Sequence, residues 1–204
     1  GIGQGYNNFT ALQLASATAT LVSGGQRFTP RLAREIENVV THEKTRVAGQ
    51  ALPSPPFDPE HVALINRALY SVTQEGTSVR SFVGAPYKSG GKTGTAQAVS
   101  IRANEKYNAA KLEEHQRDHS LYIAVAPLDA RPEQPMVALA VVVENAGFGS
   151  EAAAPIARRV FDYLLLGQDR DENIKEIMRH SPHDADAMDR YDYDMERVCQ
   201  LVKP

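Results

Sequence analysis

The stretch YKSGGKTGTAQAV, Tyr87 to Val99, decides how this 204-residue chain is read. Between Gly90 and Thr95 it sets three glycines, a lysine and two threonines. Such a stretch suits a phosphate cradle, half of a serine-lysine dyad, or the wall of an acyl-transfer cleft. A phosphate loop follows G-x-x-x-x-G-K-[ST] and opens directly into a helix, so that backbone N–H groups curl around the anion. Gly91-Lys92-Thr93 fits the end of that pattern, but its first glycine falls on Pro86. Proline has no N–H and a fixed φ. The sequel TGTAQAV reads as strand rather than helix. Ser89 to Lys92 spells S-x-x-K, which works when one helical turn brings the amine to the hydroxyl. Two intervening glycines, each costing about 1 kcal/mol in a helix relative to alanine, argue against that turn.

The third reading takes Lys92-Thr93-Gly94-Thr95 as a K-T-G-T wall strand. An ammonium is a positive charge that attracts a carboxylate and polarises a neighbouring hydroxyl. Thr93 and Thr95 stand at alternate positions and point to one side of a strand. Gly94 lets a substrate backbone lie close. The Thr95 N–H is available to a developing oxyanion. Gln97, two positions on, shares the side of Thr95 if the strand is regular, and suits either the groove or packing.

Working outward, FTALQLASATATLVSGG predicts a first helix, with Thr10 as N-cap, Gln13 completing a capping box, and Phe9 against Leu14 as a hydrophobic staple. Leu14, Ala17 and Leu21, with Ala11, Ala15 and Val22, recur at helical spacing, and Gly24-Gly25 stop the helix. Residues 26–57 hold one or two short strands and end in the proline-rich connector ALPSPPFDP. Asp58 as N-cap and Pro59 at the first helical position open a second helix with Val62, Ile65, Leu69 and Val72 on one face, closed by Gly76. SLYIAVAP and MVALAVVVEN read as the strands of an antiparallel hairpin, buried on both faces because their apolar runs are nearly continuous. Ser150 is expected to cap a last helix carrying Ile156, Val160 and Tyr163, with Gly147 and Gly149 in the turn before it. These elements make a unit from residue 1 to 167. From Gln168 to Pro204 the chain holds ten acidic and six basic residues with weak apolar periodicity, a loosely packed or disordered tail.

Composition narrows the function classes. A net charge of −3 with no basic-aromatic block gives no electrostatic case for nucleic acid. The longest apolar run is far short of the roughly 18 residues of a membrane helix. Cys199 is the sole cysteine, which excludes an intrachain disulfide and a cysteine-rich zinc cage. His180 and His183 form only a weak pair, and the aspartates near them lack the order of an EF-hand loop. No metal or cofactor is called for. His119 reads as structural rather than catalytic.

Together these blocks resemble the C-terminal half of the transpeptidase domain of class B penicillin-binding proteins. GIGQGYNNFTALQLASATATLVSGGQRFTPRL resembles that family's glycine-rich block and first helix, and SGGKTGTAQ its third active-site motif. HSLYIAVAPLD and VALAVVVENAGFGSEAAAPIARRVFDYLL resemble its final strands and closing helix. IRANEKYNAAKLEEHQRDHSLYIAVAP is closer to the elongation-specific branch, penicillin-binding protein 2, than to the division-specific one. The resemblance covers roughly Gly1 to Gly167. It implies an α+β fold, part of the penicillin-binding and serine β-lactamase-like transpeptidase fold, in which helices flank an antiparallel sheet. It also implies serine acyl transfer between peptidoglycan stem peptides, with β-lactams acylating the same serine. Lys92 then becomes the motif lysine, Thr93 and Thr95 the carboxylate ligands with Gly94 between them, and the Thr95 N–H half of the oxyanion hole. The implied partners are stem peptides, β-lactams, the upstream half of the same protein and the elongation glycosyltransferase machinery. The implied place is the periplasmic face of the bacterial inner membrane, held there by an N-terminal anchor.

The family's S-x-x-K and S-x-N motifs are expected upstream. The chain opens on Gly1, and its only S-x-x-K is Ser89 to Lys92; Tyr6-x-Asn8 is a chance match to a Y-x-N variant. The sequence therefore reads as an incomplete part of that fold, without its central helix and inactive alone, with apolar surface left uncovered. A non-catalytic sensor or binding domain of the same fold is the alternative. A fluorescent penicillin is predicted not to label this 204-residue chain covalently; stoichiometric labelling at one serine, seen by mass spectrometry, would overturn the inert reading.

Overall fold

The computed structural model describes residues 8–99, 112–130 and 136–167. The first stretch holds α1 (Ala11–Val22), β1 (Arg27–Phe28), β2 (Glu35–Glu37), β3 (Lys44–Arg46), β4 (Ala51–Leu52), α2 (Pro59–Gln74), α3 (Val79–Phe82) and β5 (Gly90–Ala96). The others hold a 3-10 turn at Glu114–Gln116, then β6 (His119–Ala126), β7 (Val137–Val143) and α4 (Ala153–Leu166). They fall into two compact units. One comprises the described residues up to Pro30 and from Gly49 to Arg158; the other comprises Arg31–Ala48 and the described residues from Arg159 on. The tail from residue 168, with its histidine pair and aspartates, lies outside the described residues, as does most of the charged segment before the 3-10 turn. No helix of the described residues is long and apolar enough to cross a membrane.

In the first unit, β5, β6 and β7 form an antiparallel sheet in that order. The apolar runs of β6 and β7 do pair as a hairpin, with Tyr122 opposite Val141 and Ala124 opposite Leu139. The α+β class and the antiparallel sheet flanked by helices are as the sequence implies. Burial on both faces is not. Along β6 the face of Ser120, Tyr122, Ala124 and Ala126 is sealed, while on the other face Val125 is sealed but Leu121 and Ile123 are only half-buried. Along β7 most residues are half-buried and Val142 is 44% exposed. The reason lies in position: β7 is an edge strand of the described sheet, so its apolar side chains meet neighbours on fewer sides.

Helices α1 and α2 pack on this sheet, α1 against β6 and β7, α2 against β5. Both obey their local signals. The Thr10 hydroxyl accepts the Gln13 N–H at 3.2 Å, and the Gln13 side chain accepts the Thr10 N–H at 2.8 Å. Asp58 accepts the Glu60 N–H at 2.8 Å, with Pro59 in the first turn. Val62, Ile65, Leu69 and Val72 are turned inward on α2. The staple fails, since Phe9 is 64% exposed. The α1 face also differs: Thr18 and Val22 are buried while Ala11 and Ala17 lie outside. Thr18 escapes the cost of an unpaired hydroxyl by donating to the Leu14 carbonyl at 2.8 Å. Between Gly25 and Leu52 the chain makes four short strands, more than expected, with β1 pairing β4.

The second unit contains the hairpin of β2 and β3, Ile36 opposite Thr45. Its turn is set by Asn38, whose side-chain oxygen accepts the N–H groups of Val40 and Thr41, and by His42 at φ 55°. Lys44 reaches both Glu35 and Glu37 across the strands, at 3.4 and 3.7 Å. These groups are well exposed, so such pairs contribute little.

Helix α4 starts at Ala153, two residues later than a Ser150 cap would place it. Its buried positions are Ala153, Ala154, Ala157, Phe161 and Asp162, whereas Ile156, Val160 and Tyr163 are only half-buried. The capping acceptor comes from elsewhere in the chain. Ser120 on β6 accepts the Ala153 N–H at 3.1 Å and donates to the Phe148 carbonyl at 3.0 Å. Ser120 itself is fully buried, and its bond to Ala153 is buried with it. Ser120→Ala is expected to leave a donor and an acceptor unpaired and to cost about 2 kcal/mol or more. Denaturant titration of the full-length protein measures it, against Ser150→Ala, which should cost less than about 0.5 kcal/mol.

Candidate active-site wall

Strand β5 is where the three readings of the stretch separate. Lys92 and Thr93 sit in extended backbone, not at a helix start, so no phosphate cradle forms. Ser89 is buried, its carbonyl accepts the Thr73 hydroxyl at 2.7 Å, and β5 begins at the next residue. Extended backbone turns residues three apart to opposite sides, so Ser89 and Lys92 make no dyad. The glycines serve packing. A side chain at Gly90 would come within 2.9 Å of both Leu69 and Leu128. One at Gly91 would run into the Tyr122 hydroxyl.

Tyr122 is the anchor behind the strand. Its ring stacks on Phe82 at 6.0 Å, and its hydroxyl meets the Ser78 hydroxyl at 2.7 Å. Ser78 already donates to the Val72 carbonyl at 3.0 Å, so its single proton is spent and the phenol donates to it. Burial pushes the phenol up to about 12, the Ser78 bond offsetting a smaller part. Sequence reading missed this cluster. A tyrosine in an otherwise apolar strand was its only trace.

Cross-strand register fixes which side chains share a face. Thr93 pairs with Tyr122 and Thr95 with Ser120, while Lys92 pairs with Ile123 and Gly94 with Leu121. Paired residues lie on the same side of a sheet. The two threonines therefore share a face, as their alternate spacing predicts, and the lysine rises on the other. All three lie on β5, which has no strand beyond it on its outer side among the described residues. An edge strand also turns alternate N–H and C=O groups outward, ready for an extended peptide. Lys92 is exposed, its ammonium donates to the Thr93 carbonyl at 2.8 Å, and no carboxylate of the described residues lies in ion-pair range of it. Thr93 meets the Thr77 hydroxyl at 3.0 Å. Gly149 lies directly on the backbone of Gly94 and Leu121, where a side chain has no room; it does more than turn the chain. Gln97 falls beyond the end of β5 at Ala96 and is exposed, so the alternation that would carry it to the Thr95 side does not reach it. His119 accepts the Asn145 N–H at 3.0 Å through Nδ1, a structural use. Among the described residues no group of three or more His, Cys, Asp or Glu could hold a metal.

The sequence profile of the penicillin binding protein transpeptidase domain matches residues 1–162. The chain belongs to this family. Among penicillin-binding relatives it is 41% identical over 170 residues to the peptidoglycan D,D-transpeptidase MrdA of Haemophilus influenzae, covering 81% of this chain and 25% of that protein. It is 33% identical over 201 residues to MrdA of Escherichia coli K12, covering 93% and 29%. The chain thus spans about a quarter of the length of these curated relatives. Two solved penicillin-binding proteins share its fold. Pseudomonas aeruginosa PBP2 in complex with WCK 5153 is 30% identical, with a TM-score of 0.59 over 80% of this chain and 32% of that one. The ceftriaxone acyl-enzyme of Mycobacterium tuberculosis penicillin-binding protein A is 26% identical, with a TM-score of 0.62 over 80% and 34%.

The anchor has a pH signature. An unfolded tyrosine ionises near 10 and the buried one near 12, so the folded state holds its proton through that interval. Stability is expected intact below about pH 10 and to fall as pH rises toward 12. Tyr122→Phe should flatten that slope in pH-dependent denaturation of the full-length protein; an unchanged slope would show that the phenol is not sealed.

Proposed function

We propose that this chain forms the carboxylate-binding wall of a peptidoglycan D,D-transpeptidase. One observation carries the reading: the open edge of β5 is flanked by the Lys92 ammonium on one face and the Thr93 and Thr95 hydroxyls on the other. A stem peptide ending in D-Ala-D-Ala is extended and carries a terminal carboxylate. It suits a strand edge that offers backbone groups along its length and a cation with two hydroxyls at one end. A β-lactam presents the same carboxylate beside its strained amide.

The chemistry follows from that placement. A serine hydroxyl attacks the penultimate carbonyl, forming a C–O bond while its proton goes to a base. The Thr95 N–H is one donor to the oxyanion that develops. Collapse breaks the C–N bond, and D-Ala leaves with a proton. An amine of a neighbouring strand then attacks the ester, loses its proton and restores the serine. The serine and its base belong to motifs this sequence does not contain. The chain supplies position and charge: Lys92 attracts the carboxylate, Thr93 and Thr95 orient it, and Gly94 lets the donor peptide lie close.

The resemblance to the MrdA proteins supports the elongation branch, and the periplasmic face of the inner membrane is the site of action this reading expects. An elongation glycosyltransferase is the partner this reading expects. In the full-length protein, Lys92→Ala should slow acylation by a fluorescent penicillin about 100-fold or more. Thr93→Val and Thr95→Val should each cost about tenfold. Wild-type rates in all three would sink the reading.

A further inference from the structure

Thr77 touches the wall through a side-chain hydroxyl from outside it. Its hydroxyl lies 3.0 Å from that of Thr93, and neither group has another hydrogen-bond partner among the described residues. We infer that Thr77 is a positioning residue for Thr93, a role that rests on the carboxylate-wall reading of β5. The geometry gives the pair a direction. A threonine hydroxyl has one proton and two lone pairs. When Thr93 spends its proton on a carboxylate, only a lone pair faces Thr77, so Thr77 becomes the donor. Its proton holds the Thr93 oxygen, keeps the hydroxyl turned to the anion and polarises it.

This role needs Thr77 to stand still, and the chain around it is tied down on both sides. The Gly76 N–H donates to the Ser71 carbonyl at 3.0 Å, and the Ser78 N–H to the Val72 carbonyl at 3.2 Å. A side chain on Gly76 would come within 2.7 Å of the Val72 Cα, so the chain doubles back on α2 where only glycine fits. Ser78 is sealed and bonded to Tyr122, which sits opposite Thr93 in the sheet. The loop and the strand thus share one anchor, and Thr77 and Thr93 are carried at fixed spacing. Thr77 itself is exposed. Removing its hydroxyl empties no core, which lets a positioning role be told from a structural one.

The test uses the full-length protein and two probes, a penicillin with a free carboxylate and its methyl ester. Thr77→Val is expected to lower the acylation rate constant for the free acid about three- to tenfold, the worth of one hydrogen bond. It should leave the ester rate and the melting temperature as in wild type, because the ester offers no anion to hold. Thr77→Ser should restore the free-acid rate, since it returns the hydroxyl. An equal loss with both probes, or no loss with the acid, would overturn the inference. Thr93→Val and Lys92→Ala run in parallel separate the two levels. If neither slows acylation by the acid, the wall reading itself fails. If both do while Thr77→Val does not, only the role of Thr77 falls.

Discussion

The contact on which the first unit depends is the meeting of Tyr122 and Gly91. A phenol hydroxyl occupies the space that a side chain at Gly91 would fill. From there it reaches Ser78, and its ring lies on Phe82. One buried aromatic thereby fastens the central strand of the sheet, the strand that bears the wall and the turn that follows α2. A polar group so deeply buried is tolerable only because its proton has a partner. That partner exists only when α2, α3 and β6 are all in place.

From this anchor the wall acquires a shape rather than a mere composition. Glycines at 90 and 91 let α2 and Tyr122 press against β5 from its two faces. Gly149 lets the loop before α4 settle on the backbone of Gly94 and Leu121. The strand is therefore gripped at Gly90, Gly91 and Gly94, while its outer edge has no strand beside it among the described residues. Rigid support behind an open rim is what precise placement of a charged ligand requires. The hydroxyls and the ammonium stand on opposite faces of that strand.

How much of this was legible in the sequence follows the range of the interactions. Thr10 and Asp58 announced their helices because a cap and its N–H lie within three residues. The strands β6 and β7 announced themselves by apolar runs, and the K-T-G-T motif by residue types in alternation. The failures are equally orderly. Thr77 meets a partner 16 residues away, Ser120 caps a helix 33 residues on, and Ser78 and Tyr122 are 44 apart. No periodicity records such pairs. Ser150 was preferred as a cap because it was near, and Ser120 won because the sheet holds it there. Burial patterns failed for a related reason. A continuous apolar run says that a strand avoids water, but the neighbours that cover each face are set by topology, which left β7 at an edge.

The cap supplied by Ser120 makes the last helix answerable to the sheet. A slip of one residue between β6 and its neighbours would turn Ser120 to the opposite face. The first amide of α4 would then lose its acceptor, and the Phe148 carbonyl its donor. The helix start thus acts as a proofreader of strand alignment: only the register that sets Thr95 beside Ser120 also lets α4 begin where it does. Misaligned chains would be penalised at a site remote from the wall, before any substrate tested the wall itself.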